Sequence, residues 1–285
     1  MSSVLLEIND LAMISKYKEK VKGFIMGYNT FTSLSAHYFN YEEIAKATQL
    51  SNNIYICLNE LIHNDRQDEF KNELTKLNEL GVHFIIQDLG GCLIAKDCIG
   101  LDKVIFNPYT LLTNSKDASI YASLGFEGII ISSEITAKDM NTISSLIDNC
   151  GCLLFGYHPM YQTYRHIIDL YKSNNNLIFD NDGLTLKEFT RSEKYHVIDN
   201  EHGSVIFRPY IVSLFKVHDE ITNFKYQIVN TIFLNNEQIE LVVDSVYKLQ
   251  KNNDCCRDVI NNLESHFTLE DGFIYNDSIY NPKEF

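Results

Sequence analysis

The sequence predicts a single (β/α)8 TIM-like barrel with an antiparallel β insertion between its seventh and eighth strands. Three observations carry this expectation. Short apolar runs alternate with helical patterns at intervals of roughly 20–30 residues, the rhythm of βαβ units in a parallel sheet. Seven such units are complete by residue 171, more than a dinucleotide-binding half needs, and no Gly-x-Gly-x-x-Gly follows any of them. The apolar period then shortens to two between residues 176 and 208, where Asn181-Asp182-Gly183 and Glu201-His202-Gly203 supply hairpin turns. A chain of 285 residues suits one barrel of this kind, which typically needs roughly 250. The expected organisation is one domain over 1–285, with the hairpin insertion at 176–208 and a C-terminal tail at 266–285.

The elements follow in order. Val4 to Ile8 is the first strand and Gly23 to Gly27 the second. Tyr41 to Leu50 reads as a helix, with Asn40 as its cap and Glu42 and Glu43 in the first turn. Asn53 to Leu58 is the third strand. A helix from Asp65 to Leu80 carries Phe70, Leu74, Leu77 and Leu80 on one face, and Gly81 ends it. Val82 to Ile86, Lys103 to Phe106 and Gly128 to Ile131 are the next three strands. Ser115 to Leu124 is a helix closed by Gly125, and Thr136 caps a helix that runs to about Asn149. Leu153 to Phe155 is the seventh strand. There Gly156 permits a turn or a close backbone approach, and Pro159 delays the next helix. Tyr164, Ile167, Ile168 and Tyr171 then form a helical stripe. In the insertion, the runs 176–179, 184–190, 195–198 and 204–207 are β-like. Phe224 to Val229 supplies the eighth strand, and Asn236 to Lys251 a long helix with Ile239, Val242, Val243, Val246 and Leu249 on one face.

Composition narrows the function classes. Hydrophobic content of 45% allows a substantial core. Against 24 Lys and Arg stand 38 Asp and Glu, a formal charge of −14. That argues against a general nucleic-acid surface, so DNA is not an expected partner, and leaves open a local basic site or a basic partner that holds RNA. Met1 to Asp10 has no basic stretch followed by an apolar core, so no signal peptide is read there, and no apolar run reaches the roughly 20 residues of a membrane helix. Seven cysteines at irregular spacing suit a reduced, cytoplasmic protein.

Barrel enzymes build their sites just past the carboxyl ends of the strands. Asn29, Asn59, Asp88, Asn107, Glu134 and His158 all occupy such positions. Each also has a structural reading, because Asn and Asp are favoured at caps and turns. The expected catalytic groups are Glu134, His158 and Asp88. The expected substrate-binding groups are Asn59, Asn107, Tyr157, Tyr161 and Arg165. Cys57, two residues before Asn59, is either a nucleophile or, being inside a strand, a small core residue. No Gly-x-Ser-x-Gly or His-Glu-x-x-His is present, and no close-spaced ligand pair points to a metal.

Several segments resemble the peptidase U32, collagenase-like, family. Phe155-Gly-Tyr-His-Pro-Met160 with Tyr164-Arg-His166 is similar to its Phe-Gly-x-x-Pro-Met segment. Asn107-Pro-Tyr-Thr-Leu-Leu-Thr-Asn114, Gln87-Asp-Leu-Gly90, Gly128 to Thr136 and Asp199-Asn-Glu-His-Gly203 resemble further family segments in the same order. The resemblance is to the smaller members, which work beside a larger paralogue. It implies a part in hydroxylating the wobble uridine of tRNA to 5-hydroxyuridine, with tRNA met only indirectly, through the partner. The alternatives are a free-standing peptidase or collagenase-like protease and a non-catalytic small-ligand-binding barrel. Catalytic relatives hold an iron–sulfur cluster through four cysteines, the first two just after the seventh strand. Tyr157 to Tyr171 contains no cysteine, so no cofactor is expected on this chain, and the larger paralogue is its expected partner.

Overall fold

The computed structural model describes residues 3–180, 183–190, 192–218, 220–221, 223–251, 256–270 and 273–275. Eight parallel strands close on themselves: β1 (Ser3–Glu7), β2 (Gly23–Tyr28), β4 (Ile54–Leu58), β5 (His83–Ile86), β6 (Val104–Phe106), β7 (Gly128–Ile130), β8 (Cys150–Thr163) and β12 (Tyr226–Val229). The pairing of β12 with both β1 and β8 shuts the ring. The short β3 (Tyr38–Phe39) adds to the edge of β2. The helices between the strands are α1 (Ala12–Tyr17), α2 (Tyr41–Leu50), α3 (Gln67–Asn78), α4 (Leu89–Cys98), α5 (Ser115–Ser123), α6 (Ala137–Ser144), α7 (Ile167–Asn175), α8 (Asn236–Lys251) and α9 (Cys256–Glu264).

The strand alternation sorts the apolar residues into two layers. Val4, Leu6, Phe24, Met26, Phe84 and Ile86 face outward into the shell under the helices. Leu5, Ile25, Cys57, Ile85, Ile105, Ile130, Leu153 and Ile228 point inward and fill the barrel. One inward step towards the amino ends, Tyr55 and Tyr226 donate to the Glu127 carboxylate at 3.2 and 3.0 Å, and His83 Nδ1 lies 2.6 Å from it. Burial pulls the Glu127 carboxyl upward, but His83 and the two phenols outweigh it and hold the group below the usual carboxylate range. This cluster plugs the base of the barrel.

The helix starts follow the expected chemistry. Asn40 and Glu43 form a reciprocal capping box on α2, and the Thr136 hydroxyl accepts from the Asp139 N–H on α6. α4 is not legible as a helix in the sequence, because Leu89-Gly90-Gly91 reads as a turn. Asp88 nevertheless caps it, its side chain accepting from Gly91 N at 2.7 Å. α1 was not read from the sequence either.

The main correction concerns residues 156–166. In place of a turn and an early helix, β8 continues for 14 residues to Thr163, and α7 begins only at Ile167. The physical cause is tertiary. Past the barrel rim β8 gains an antiparallel partner, β11 (Gly203–Ser213), which in turn pairs β10 (Lys194–Asn200) and then β9 (Thr185–Lys187). Pro159 is tolerated because it faces Phe207 at a double register shift, where a missing N–H breaks no regular ladder. Gly156 sits where β8 leaves the barrel. Its φ is +147°, and a Cβ there would lie 2.6 Å from Asn230 Cβ, so both the backbone angle and the close approach require glycine.

The antiparallel excursion between the seventh and eighth barrel strands is as the sequence predicts, though it starts inside β8 rather than at residue 176. Residues 176–179 form no strand. β13 (Leu269–Glu270) adds in parallel to β11. The tail at 271–272 and 276–285 lies outside the described residues. No helix among the described residues is long and apolar enough to cross a membrane.

Candidate functional site at the barrel mouth

One inward step above the apolar filling, the strand ends present polar groups: Glu7 on β1, Asn59 past β4, Asn107 past β6 and Asn230 past β12. With Tyr109, Ser133, Tyr157 and His158 they line a cavity of about 50 Å³ whose floor is Ile25, Ile85, Ile130 and Ile228. That volume suits a few water molecules or one small group. Residues 29–37 fold over one side of the mouth and contribute Leu34 to the lining. Gly27 makes room for this loop, since a Cβ on it would lie 2.5 Å from Ser35 Cβ.

Two side chains pin the loop. Asn59 is almost wholly buried. Its Oδ1 accepts from Ser33 N at 2.8 Å, Leu34 N at 3.2 Å and the Ser33 hydroxyl at 3.1 Å. Its Nδ2 donates to Leu34 O at 2.8 Å and to the Tyr109 hydroxyl at 3.2 Å. Every polar atom of Asn59 is thus engaged by the protein. Glu7 is equally buried; one of its oxygens accepts from the Ser35 hydroxyl at 2.7 Å and Ala36 N at 2.9 Å. Burial raises the Glu7 carboxyl above the ordinary carboxylate range, against the opposing pull of the Ala36 N–H, the Ser35 hydroxyl and the Thr231 N–H.

His158 is 3% exposed, and its Nδ1 has no hydrogen-bond partner. Burial lowers its pKa to about 4; the Arg208 guanidinium adds to the fall and Glu134 opposes it. Arg208, on β11, hydrogen-bonds Glu134. Glu134 therefore answers an arginine and does not line the cavity. At neutral pH His158 is an uncharged imidazole buried in the cavity wall. Burial raises the Cys57 thiol far above its ordinary value, and its sulfur accepts from Asn59 Nδ2 at 3.3 Å. That leaves it a core residue, since the thiolate is the nucleophile.

Of the residues expected from the sequence, Asn59, Asn107, Tyr157 and His158 meet at the cavity. Asp88 turns to cap α4, Tyr161 and Arg165 are solvent-exposed, and none of these three lines it. Asn29 lies in a separate, more open cleft with Glu60, Arg66, Tyr164 and His202. There the buried Glu60 carboxylate takes Arg66 Nη1 at 2.5 Å and lies 3.1 Å from His202 Nδ1, fastening the β10–β11 turn to the barrel. Sequence reading missed Glu7, Tyr109 and Asn230. Glu7 stands out in the sequence as the one charged residue of its strand, but only the inward register shows that it faces the cavity.

Among the described residues, His166, Asp169 and Asp199 are the group whose donor atoms come within 4.8 Å of one another, close enough for a metal ion. The Asp199 carboxylate also accepts from Ile168 N and the Ser204 hydroxyl, both at 2.8 Å, so it ties the start of α7 to the hairpin. Cys57 faces the barrel interior, Cys92, Cys150 and Cys152 belong to the outer core layer, and Cys98 ends α4. Cys255 and the side chain of Cys256 lie outside the described residues.

Comparison with known proteins places these features. Residues 24–164 match peptidase family U32, a stretch that runs from β2 to the far end of β8. The chain is 22% identical over 291 residues to tRNA hydroxylation protein P2 of Bacillus subtilis (strain 168), covering 90% of this chain and 92% of that one. The solved structure of the U32 peptidase Mk0906 shares the fold, with a TM-score of 0.53 and 11% identity over 81% of this chain and 93% of that chain. The motifs of the barrel wall, the relative spanning nearly the whole chain and the common architecture agree: this chain belongs to peptidase family U32.

Proposed function

We propose that this chain is the smaller subunit of a two-chain system that hydroxylates the wobble uridine of tRNA to 5-hydroxyuridine, acting beside a larger U32 paralogue. The observation that carries the reading is the similarity to tRNA hydroxylation protein P2, which runs through 90% of this chain and is not confined to the common barrel segment. Two features of the site support a subunit role. Residues 157–171, where the resemblance places the first cluster cysteines of catalytic relatives, contain no cysteine, so redox chemistry is assigned to the partner. The formal charge of −14 suits contact with a protein better than with bare RNA.

The test is genetic and analytical. The gene is deleted, and 5-hydroxyuridine derivatives in total tRNA are measured by liquid chromatography and mass spectrometry. The expected result is a loss that this chain restores only when the larger paralogue is present. Unchanged modification after deletion would overturn the proposal.

A further inference from the structure

α7 begins on a stripe of Ile167, Ile168 and Tyr171. Ile168 is buried under the β10–β11 hairpin, whose Asp199 and Ser204 hold the first turn of the helix. The stripe then runs off the covered area: Tyr171 is 56% exposed and its neighbour Leu170 53%. Beyond the helix, Ile178 and Phe189 stand fully in solvent. Leu186 is exposed on β9, which pairs only β10 among the described strands and so presents an open sheet edge. Lys172 Nζ sits 4.7 Å from the Phe179 ring centroid, which holds residues 177–179 against α7. Solvated sheet edges and large exposed apolar side chains are features that monomeric proteins limit, and here both occur on the same antiparallel excursion.

Charge selects the occupant. At a formal −14, a second copy of this chain, an anionic lipid surface and a nucleic acid would all be repelled as they approach. Close to the patch, the Asp169 carboxylate lies 3.6 Å from Lys172 Nζ, which leaves the rim of the helix locally balanced. We propose that the outward face of α7, residues 177–179 and the β9 edge form the docking surface for a different protein chain of neutral or basic charge. Its identity as the larger U32 paralogue rests on the function proposed above; the location of the face does not.

The test uses the full chain, alone and co-expressed with the larger U32 protein of the same genome, with assembly measured by light scattering on a sizing column and affinity by calorimetry. The probe variant is Leu170→Glu with Ile178→Glu. Both positions are exposed and outside the core and the cavity, and circular dichroism and the urea midpoint check that the fold is kept. Ile120→Glu, an exposed apolar position on α5, is the control. The expected result is a monomer alone, a one-to-one complex with the larger chain, and about 100-fold weaker binding for the double variant, tenfold for each anchor lost, with the control unchanged. A complex that the double variant leaves intact, a self-dimer that it dissolves, or no complex with the wild-type chain would each overturn the inference. A complex that depends on this face, in cells whose tRNA modification is unaffected by deletion, would sink the hydroxylation reading and leave the docking face standing.

Discussion

Replacing Asn59 with alanine separates a structural clamp from a ligand-binding residue. The substitution removes the bonds that Asn59 makes to Ser33 N, Leu34 N and Leu34 O, three main-chain groups of the loop that closes the cavity. Each buried hydrogen bond lost is worth on the order of 1–1.5 kcal/mol, so the three sum to about 3–4.5 kcal/mol. At about 2 °C per kcal/mol for a chain of this size, the melting temperature should fall by roughly 6–9 °C. Urea unfolding gives the free energy, and hydrogen exchange shows where it is lost: the amides of residues 29–37 should lose protection before those of the barrel strands. A variant within about 1 kcal/mol of the wild type, with the loop still protected, would refute the clamp and restore Asn59 as a free group facing the cavity.

Gly156→Ala should destabilise by at least about 2 kcal/mol, because the angle is strained and Asn230 stands in the way; equal urea midpoints would contradict this. The folded-state pKa of His158, at about 4, lies below its ordinary value of 6.5, so the unfolded chain binds the proton more readily in that interval. Stability therefore holds above pH 6.5 and is lost as the pH falls towards 4, by up to about 3 kcal/mol, and His158→Gln should flatten that slope. Arg208→Met should move the His158 pKa upward, as read from its imidazole NMR shift. Glu7 works in the opposite sense. Its raised carboxyl favours the fold below the ordinary value of 4.5, and that contribution is lost as the pH rises through the folded-state value. Glu7→Gln should remove that loss, so its stability stays level over the interval above pH 4.5 in which the wild type declines, a difference visible in paired urea midpoints.

All eight barrel strands were legible in the sequence, because a strand covered on both faces reads as a mostly apolar run. Four members of the cavity, Asn59, Asn107, Tyr157 and His158, followed from their places just past those runs. Glu7 did not, because it lies inside its run and only the inward register shows which way it faces. Asp88 and Glu134 had the right position in the chain, but local partners claim them: a helix N-terminus for the first and Arg208 for the second. The stretch after His158 misled for a different reason. Its helical spacing is genuine, yet the partner that keeps it extended, β11, is some 40 residues away in sequence.

One strand, β8, belongs to two structures. Its first half is a stave of the barrel, laced to β7 and β12, and its second half is the root of the antiparallel excursion. No loop joins the two: Gly156 and the register shifts around Pro159 mark the place where the strand changes partners, and Tyr157 and His158 enter the cavity wall at that place. The residues that line the cavity and the residues that root the outer sheet are thus consecutive on one strand, and neither can be rebuilt without rebuilding the other.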